Sequence, residues 1–289
     1  MITTIIRRNL KLFFRDKAGV FFSLLGPLIM FVLYSFFLGN TERRNIIHFL
    51  PNSSLASVDF FINSWVFAGI LVTTTITTSF AAMQVFVADR VNERFKDFAV
   101  SPITRSNLVI GYLGSTLIIS LLMTTVVFAI GEAYILMSGG QLLSAQNAIV
   151  CYGSLVLLCG LFSAVAGLVV TFIRSVAAFT SLSVILGTVS GFLAAVYVPI
   201  GTLPINVANF INALPFSQVA ALVRSSFVTQ AISKLTETSQ ASSQIEKIYG
   251  VYISIGDYRL PNVQLVLIAA GLMLTAAILA IARINKQLK

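Results

Sequence analysis

Apolar and polar positions alternate along this chain in long blocks, not in short periods. Six apolar runs stand out, at 18–38, 60–88, 107–137, 147–172, 176–197 and 262–282. Each reaches or exceeds the roughly 20 residues that a helix needs to cross a bilayer. The short apolar–polar alternation of a transmembrane barrel is not found. Between the runs lie a polar loop at 39–59, a charged bridge at 89–106 and a very short turn at Arg174–Ser175. Residues 1–17, MITTIIRRNLKLFFRDK, are amphipathic. Ile5, Ile6, Leu10, Phe13 and Phe14 share one helical face, with Arg7, Arg8, Lys11 and Arg15 largely on the other, as in a helix lying in the headgroup plane. The first run contains Gly26–Pro27, which predicts a kink. It is longer than a signal-peptide core and no small-x-small cleavage signal follows, so a retained span is expected.

The segment 198–261 departs from this pattern. Pro199, Pro204 and Pro215 divide VPIGTLPINVANFINALPFSQVAALVRSSF into two apolar pieces. Neither piece is long enough to span, so re-entrant or interfacial helices are expected, sheltered by the rest of the protein where they reach membrane depth. Thr229 to Asn262 is polar and rich in Ser, Thr and Gln, and is expected to form a mobile external loop or small cap. The fold class read from the pattern is all-α. It is a polytopic membrane protein with six transmembrane helices, an N-terminal amphipathic interfacial helix and a re-entrant helical hairpin between spans 5 and 6, in a single domain over 1–289.

Composition agrees with that pattern. The chain of 289 residues is 57% hydrophobic and 10% charged, against about 25% charged for an average soluble domain. The formal charge of +9 does not point to nucleic acid, because the bases cluster at span ends. The side holding 1–17, 89–106, Arg174 and the tail carries thirteen Lys or Arg; the other carries Arg43, Arg44, Arg224, Lys234, Lys247 and Arg259. By the positive-inside rule both termini lie in the cytoplasm, and a bacterial plasma membrane is the expected location. Cys151 and Cys159, eight residues apart in one apolar run, form neither a disulfide framework nor a metal site. His48 has no partner residues and reads as a surface group. There is no Gly-x4-Gly-Lys-Ser/Thr, no His-Glu-x-x-His and no nucleophile constellation. The expectation is therefore no catalytic residue, no metal and no ATP hydrolysis by this chain alone.

Several positions carry candidate roles. In VADRVNERFKDFAVSPITRSN, residues 87–107, seven charged side chains of both signs separate two apolar runs. Val91, Phe95 and Phe98 fall near one helical face, with Glu93, Arg94 and Lys96 around them. Two readings are open: a helix docking on a soluble partner, with apolar anchors and a charged rim, or a surface helix resting on headgroups. Thr73, Thr77 and Gln84 fall near one face of span 2, as a substrate path or as helix packing. Glu132 is the one acid inside an apolar run and is a transport candidate by default, or it pairs with Arg224. Gly153, Gly160 and Gly167, and Ser183, Gly187 and Gly191, are small-residue ladders read as helix-packing seams.

The order of these parts resembles the membrane subunit of ABC-2 type exporters: the basic amphipathic start, six spans, the NERFKDFAVSPITRSN loop with Ser101–Pro102, and the proline-broken segment after span 5. The resemblance implies a dimer, with the same or a homologous second permease, and two copies of a cytoplasmic ABC ATPase that binds ATP and Mg. It implies that Val91 to Ala99 is the coupling segment seated on that ATPase, with the N-terminal helix beside it. It implies export, and the modest external loops fit an amphipathic substrate: a drug, an antimicrobial peptide or a lipid-like molecule. The alternatives are a secondary transporter or channel using Glu132 and the broken segment, and a non-transporting sensor or immunity protein.

Overall fold

A computed structural model of the protein describes residues 2–99, 103–236, 238–255 and 258–287. Its organising element is α5, Leu55–Val91. At 1.5 Å per residue this helix is about 55 Å long, well beyond the ~30 Å hydrocarbon core of a bilayer. Every residue from Ser64 to Ile76 is buried. A helix apolar around its whole circumference belongs at the centre of a bundle. Around α5 pack α3 (Leu25–Leu33), α7 (Arg105–Met137), α8 (Ala145–Val169), α9 (Val176–Leu193) and α11 (Pro215–Phe227). The last helix, α14 (Asn262–Gln287), packs mainly on α8. Hydroxyl side chains start the spans where the sequence turns polar. Ser54, Thr104, Ser144 and Ser175 each accept a hydrogen bond from the backbone N–H three residues on, capping α5, α7, α8 and α9.

Six helices are long and apolar enough to cross a membrane: Leu25–Phe49, Leu55–Val91, Arg105–Met137, Ala145–Val169, Val176–Leu193 and Asn262–Lys286. Five match the expected runs to within a few residues. The first does not. After α1 (Ile2–Arg15), α2 covers Lys17–Ser23, and the chain breaks at Leu24 before α3. Pro27 supplies the cause, since its ring removes the N–H that would bond to residue 23 and crowds that carbonyl. A wider π-turn at Tyr34–Leu38 then leads into α4, Gly39–Phe49. Residues 39–49 are thus helical, not the expected polar loop. Glu42 and Ile46, one turn apart, are both buried, and they hold α4 against the protein.

The proline-broken segment is helical and divided where expected. Pro204 starts α10 (Ile205–Ala213), and Pro215 is the first residue of α11. Leu214 between them is extended, as a residue before proline prefers. The two halves have different surroundings. On α10, Ile205 and Phe210 are exposed, whereas α11 is buried almost throughout. Of the two forms expected after α11, loop or small cap, the structure has the cap, with α12 (Thr229–Leu235), α13 (Ser239–Ile248) and a hairpin of β1 (Ile253–Ile255) and β2 (Tyr258–Leu260). Ile253 pairs with Leu260, and Ser254 with Arg259. Ala231, Ile232, Leu235, Ile245 and Tyr249 are its buried side; their spacing was masked by the surrounding Ser and Gln.

Arg224 fastens α11 to this end of the bundle. It is among the largest fully buried side chains. Its Nη2 donates to the Ala194 and Ala195 carbonyls at 2.9 and 2.7 Å, and the guanidinium lies 5.3 Å from the Trp65 ring centroid. Trp65 Nε1 donates to the Tyr249 carbonyl, Tyr249 Oη to Glu42, and Tyr34 Oη to the Val196 carbonyl. The sequence-based pairing of Glu132 with Arg224 is therefore incorrect. Arg224 neutralises carbonyls where α9 ends, while Glu132 Oε2 accepts from the Leu143 backbone N–H at 3.0 Å.

Arg224→Met leaves the carbonyls of Ala194, Ala195 and Gly250 without this donor. The expected loss is about 2–4 kcal/mol, read as a drop on the order of 10 °C in the melting temperature of the solubilised protein.

Candidate functional site

At the opposite end, the charged elbow is built by a specific way of stopping α5. The Glu93 N–H bonds to the Arg90 carbonyl and the Arg94 N–H to the Asp89 carbonyl, at 3.2 and 3.0 Å. Glu93 sits at φ 58°. This is the Schellman arrangement, with a left-handed residue that ends the helix and turns the chain. A glutamate there, where glycine is usual, carries a cost of about 1 kcal/mol. One short helical turn follows, α6, Phe95–Ala99. The expected coupling helix from Val91 to Ala99 is thus two pieces: Val91 closes α5, and the left-handed turn separates it from Phe95 and Phe98.

What holds the turn is Asp89, whose side chain is 1% exposed. Arg8 of α1 grips it with two bonds, Nη1 to Oδ2 at 2.7 Å and Nη2 to Oδ1 at 2.8 Å. Arg94 Nη1 donates to Oδ1 at 3.1 Å, and the Tyr112 hydroxyl of α7 donates to Oδ2. The hydrogen bonds from Arg8 to Asp89, with the carboxylate's negative charge, raise the Arg8 guanidinium above its ordinary pKa. A bidentate, charge-assisted pair of this kind is among the stronger polar contacts a protein makes. Beside it, Asn9 Nδ2 donates to Ser115 Oγ on α7 at 3.0 Å. Gly111 lets α1 approach α7 closely: a Cβ there would lie 2.9 Å from Ile5. Arg90 donates to the Val170 and Ile173 carbonyls at the end of α8, both at 3.1 Å. One cluster therefore ties α1, the elbow, α7 and α8 together.

α1 docks with Ile5, Asn9 and Phe13 buried and Phe14 exposed. Its inward stripe thus runs through a polar residue that a purely apolar face had left out. Phe95 and Phe98, expected as anchors for a partner, are half-buried and turned to the protein itself. The Phe95 ring lies 5.1 Å from Phe86 and 6.1 Å from Tyr112. Arg8 lies 5.6 Å from the Phe98 ring centroid. With the helix broken at Glu93, the exposed side chains of the elbow include Val91, at 49% exposure, Asn92, Arg94 and the ion-paired Glu93 and Lys96. The Ser101–Pro102 pair lies outside the described residues.

Thr73, Thr77 and Gln84 do not share one environment. Thr73 is buried against Met30, and its hydroxyl donates to the Gly69 and Ile70 carbonyls of its own helix. Thr77 donates to the Thr74 carbonyl, and Gln84 to Thr180 of α9 at 2.9 Å. The glycines of α8 are not one seam. Gly160 faces Met273 of α14, Gly167 faces Leu113 of α7, and Gly153 has open space in front of it. On α9, Gly187 meets Thr77 of α5, Gly191 makes room for the Tyr197 ring, and Ser183 bonds back to the Phe179 carbonyl. Cys151 and Cys159 are free and buried, and His48 is exposed.

The residues missed by the sequence reading are Asp89 as a buried hub, with Asn9, Tyr112 and Ser115 around it. Asp89 sits between apolar Val87 and Val91 at the end of a span, and that placement is the one signal that marked it. A double-mutant cycle of Arg8→Ala and Asp89→Ala is expected to give a coupling of about 1–3 kcal/mol. Asp89→Ala alone should raise hydrogen exchange across α1, while exchange in α11 stays unchanged.

No curated protein matches the chain. The ABC-2 type transporter family matches residues 1–228, a stretch running from α1 through the elbow and five spans to the end of the broken segment. The chain belongs to the ABC-2 type transporter family, as a multi-pass membrane permease component of an ABC transporter.

Proposed function

We propose that this permease works as an exporter, passing the force of a separate ATPase through the Asp89 cluster. In this reading the α1 end faces the cytoplasm of a bacterium, in line with its thirteen Lys and Arg. Two such permeases, the same or homologous, sit on two ATPase subunits that bind ATP and Mg. The observation that carries the reading is the Arg8–Asp89 clamp. A push on α1 or on the elbow reaches α5 and α7 through short charged bonds, without passing through a flexible loop. The outward residues Val91, Glu93 and Lys96 form the docking rim; Phe95 and Phe98 support it from within.

ATP binding draws the two nucleotide domains together, and the elbows and α1 helices move with them. Because α5 is packed on nearly all sides, its displacement re-packs α3, α7, α9 and α11 at the far end. The transported molecule is amphipathic, of the drug, antimicrobial-peptide or lipid-like class. Thr73, Thr77 and Gln84 contribute to its path only if that re-packing frees them, and Glu132 stays a loop-capping residue.

In the reconstituted complex, Val91→Asp with Lys96→Glu is expected to lower substrate-stimulated ATPase activity about tenfold, the loss of one good contact, at an unchanged melting temperature. Phe95→Ala lowers activity and melting temperature together. A cysteine at Lys96 should label only from the cytoplasmic side. Labelling from outside, or transport by the purified permease with no ATPase, overturns the proposal and favours a secondary transporter.

A further inference from the structure

At the end opposite the elbow, spans 1, 2 and 3 enclose two chambers, one above the other. The upper, of about 230 Å³, has polar residues on its wall, among them Asn40, Arg43, Asp59 and Asn63. The lower, of about 190 Å³, is lined entirely by apolar groups, among them Pro27, Leu28, Ile70, Val127 and Ile130. Phe31, Phe67 and Tyr134 line both. Their rings form a triangle with centroid separations of 5.2, 5.3 and 5.8 Å, which is the partition between the chambers. The lower chamber opens outward at Leu28 and Ile130, both exposed. These two residues stand on membrane-spanning helices, so the opening faces lipid.

The polar chamber has charges of both signs with bonding capacity left over. Arg43 meets Asp59 through Nε alone, at 2.7 Å, and touches Asn40 through Nη1 at 3.5 Å. Among the described residues, Arg43 Nη2, Asp59 Oδ2 and the Asn63 amide have no hydrogen-bond partner. An anion alone at Arg43 would face the Asp59 carboxylate, and a cation alone at Asp59 would face the guanidinium. A molecule bearing one charge of each sign satisfies both groups. Such a molecule with an apolar tail also fills the lower chamber. Together the chambers fall within the roughly 300–1,000 Å³ of small-ligand sites, enough for a headgroup and the first part of one chain; the rest of a lipid stays in the bilayer.

The geometry points to a binding site for one zwitterionic phospholipid, taken from the leaflet at the end opposite the elbow. Its phosphate bonds Arg43 and Asn63, its ammonium bonds Asp59, and one acyl chain enters the cleft between α3 and α7 once the Phe31 and Tyr134 rings, 5.2 Å apart, separate. The site is independent of the exporter reading, because it needs neither the ATPase nor a particular cargo.

The test uses the full-length permease alone, delipidated in detergent, with dioleoyl phosphatidylethanolamine or dioleoyl phosphatidylglycerol added. Native mass spectrometry counts the lipid retained. One phosphatidylethanolamine per chain is expected, preferred over phosphatidylglycerol by about tenfold. Arg43→Gln with Asp59→Asn should abolish the preference. Ile130→Trp, at an exposed rim position, should weaken retention about tenfold with no change in melting temperature before lipid is added. If the double variant is unstable, Ile130→Trp decides alone. Equal or stronger retention of phosphatidylglycerol, no retained lipid, or an Ile130→Trp protein that binds as the parent does overturns the proposal. So does efficient cross-linking between two copies carrying Ile130→Cys, which makes the groove a contact between permeases.

Discussion

A carboxylate that is almost wholly withdrawn from solvent dominates the physics of this protein. Removing a charge from water costs several kcal/mol, and the cost is offset only when partners satisfy it with good geometry. Asp89 meets that condition with four hydrogen bonds from three elements: two from Arg8, one from Arg94 and one from Tyr112. The consequence is mechanical. α1 cannot separate from the bundle, the elbow cannot unwind and α7 cannot slide without leaving that charge uncompensated. A surface helix held by lipid contacts alone would transmit nothing to the spans; this one is fastened to two of them.

The far end uses a related device with the sign reversed. Arg224, fully buried, binds the carbonyls of Ala194 and Ala195, and its face rests near Trp65. Neutral dipoles and a ring replace the carboxylate, so this fastening is directional and carries no ion pair to break. Between the two ends runs α5, surrounded on nearly every side and with its threonine hydroxyls bonded to its own backbone. Lateral bonds add to these: Thr78 also donates to Ser120 of α7, and Gln84 to Thr180 of α9.

The amphiphile groove fits the same logic. Its polar chamber bridges α4 and α5 through Arg43 and Asp59, and its apolar chamber separates α3 from α7. Span 1 is as little embedded in protein as the spans at Val176–Leu193 and Asn262–Lys286, and Phe36 and Phe37 on it are exposed. A lipid seated between spans 1 and 3 supplies the packing that this edge lacks.

The apolar blocks by themselves determined the class and the number of spans, because a run of about 20 apolar residues has few stable outcomes other than a membrane helix. The prolines likewise determined where the segment after span 5 divides, since the lost N–H and the restricted preceding residue act locally. Tertiary structure decided what depends on distant partners. Residues 39–49 became helix because Glu42 and Ile46 found buried neighbours, and the Ser- and Gln-rich cap folded because Ile245 and Tyr249 docked on the bundle. Phe95 and Phe98 turned inward because a left-handed residue at Glu93 redirected the chain, an effect invisible to helical periodicity. The Asp89 hub joins positions 8, 89, 94 and 112. No local pattern links residues so far apart; only the packing of α1 across α5 and α7 brings their charges within bonding distance.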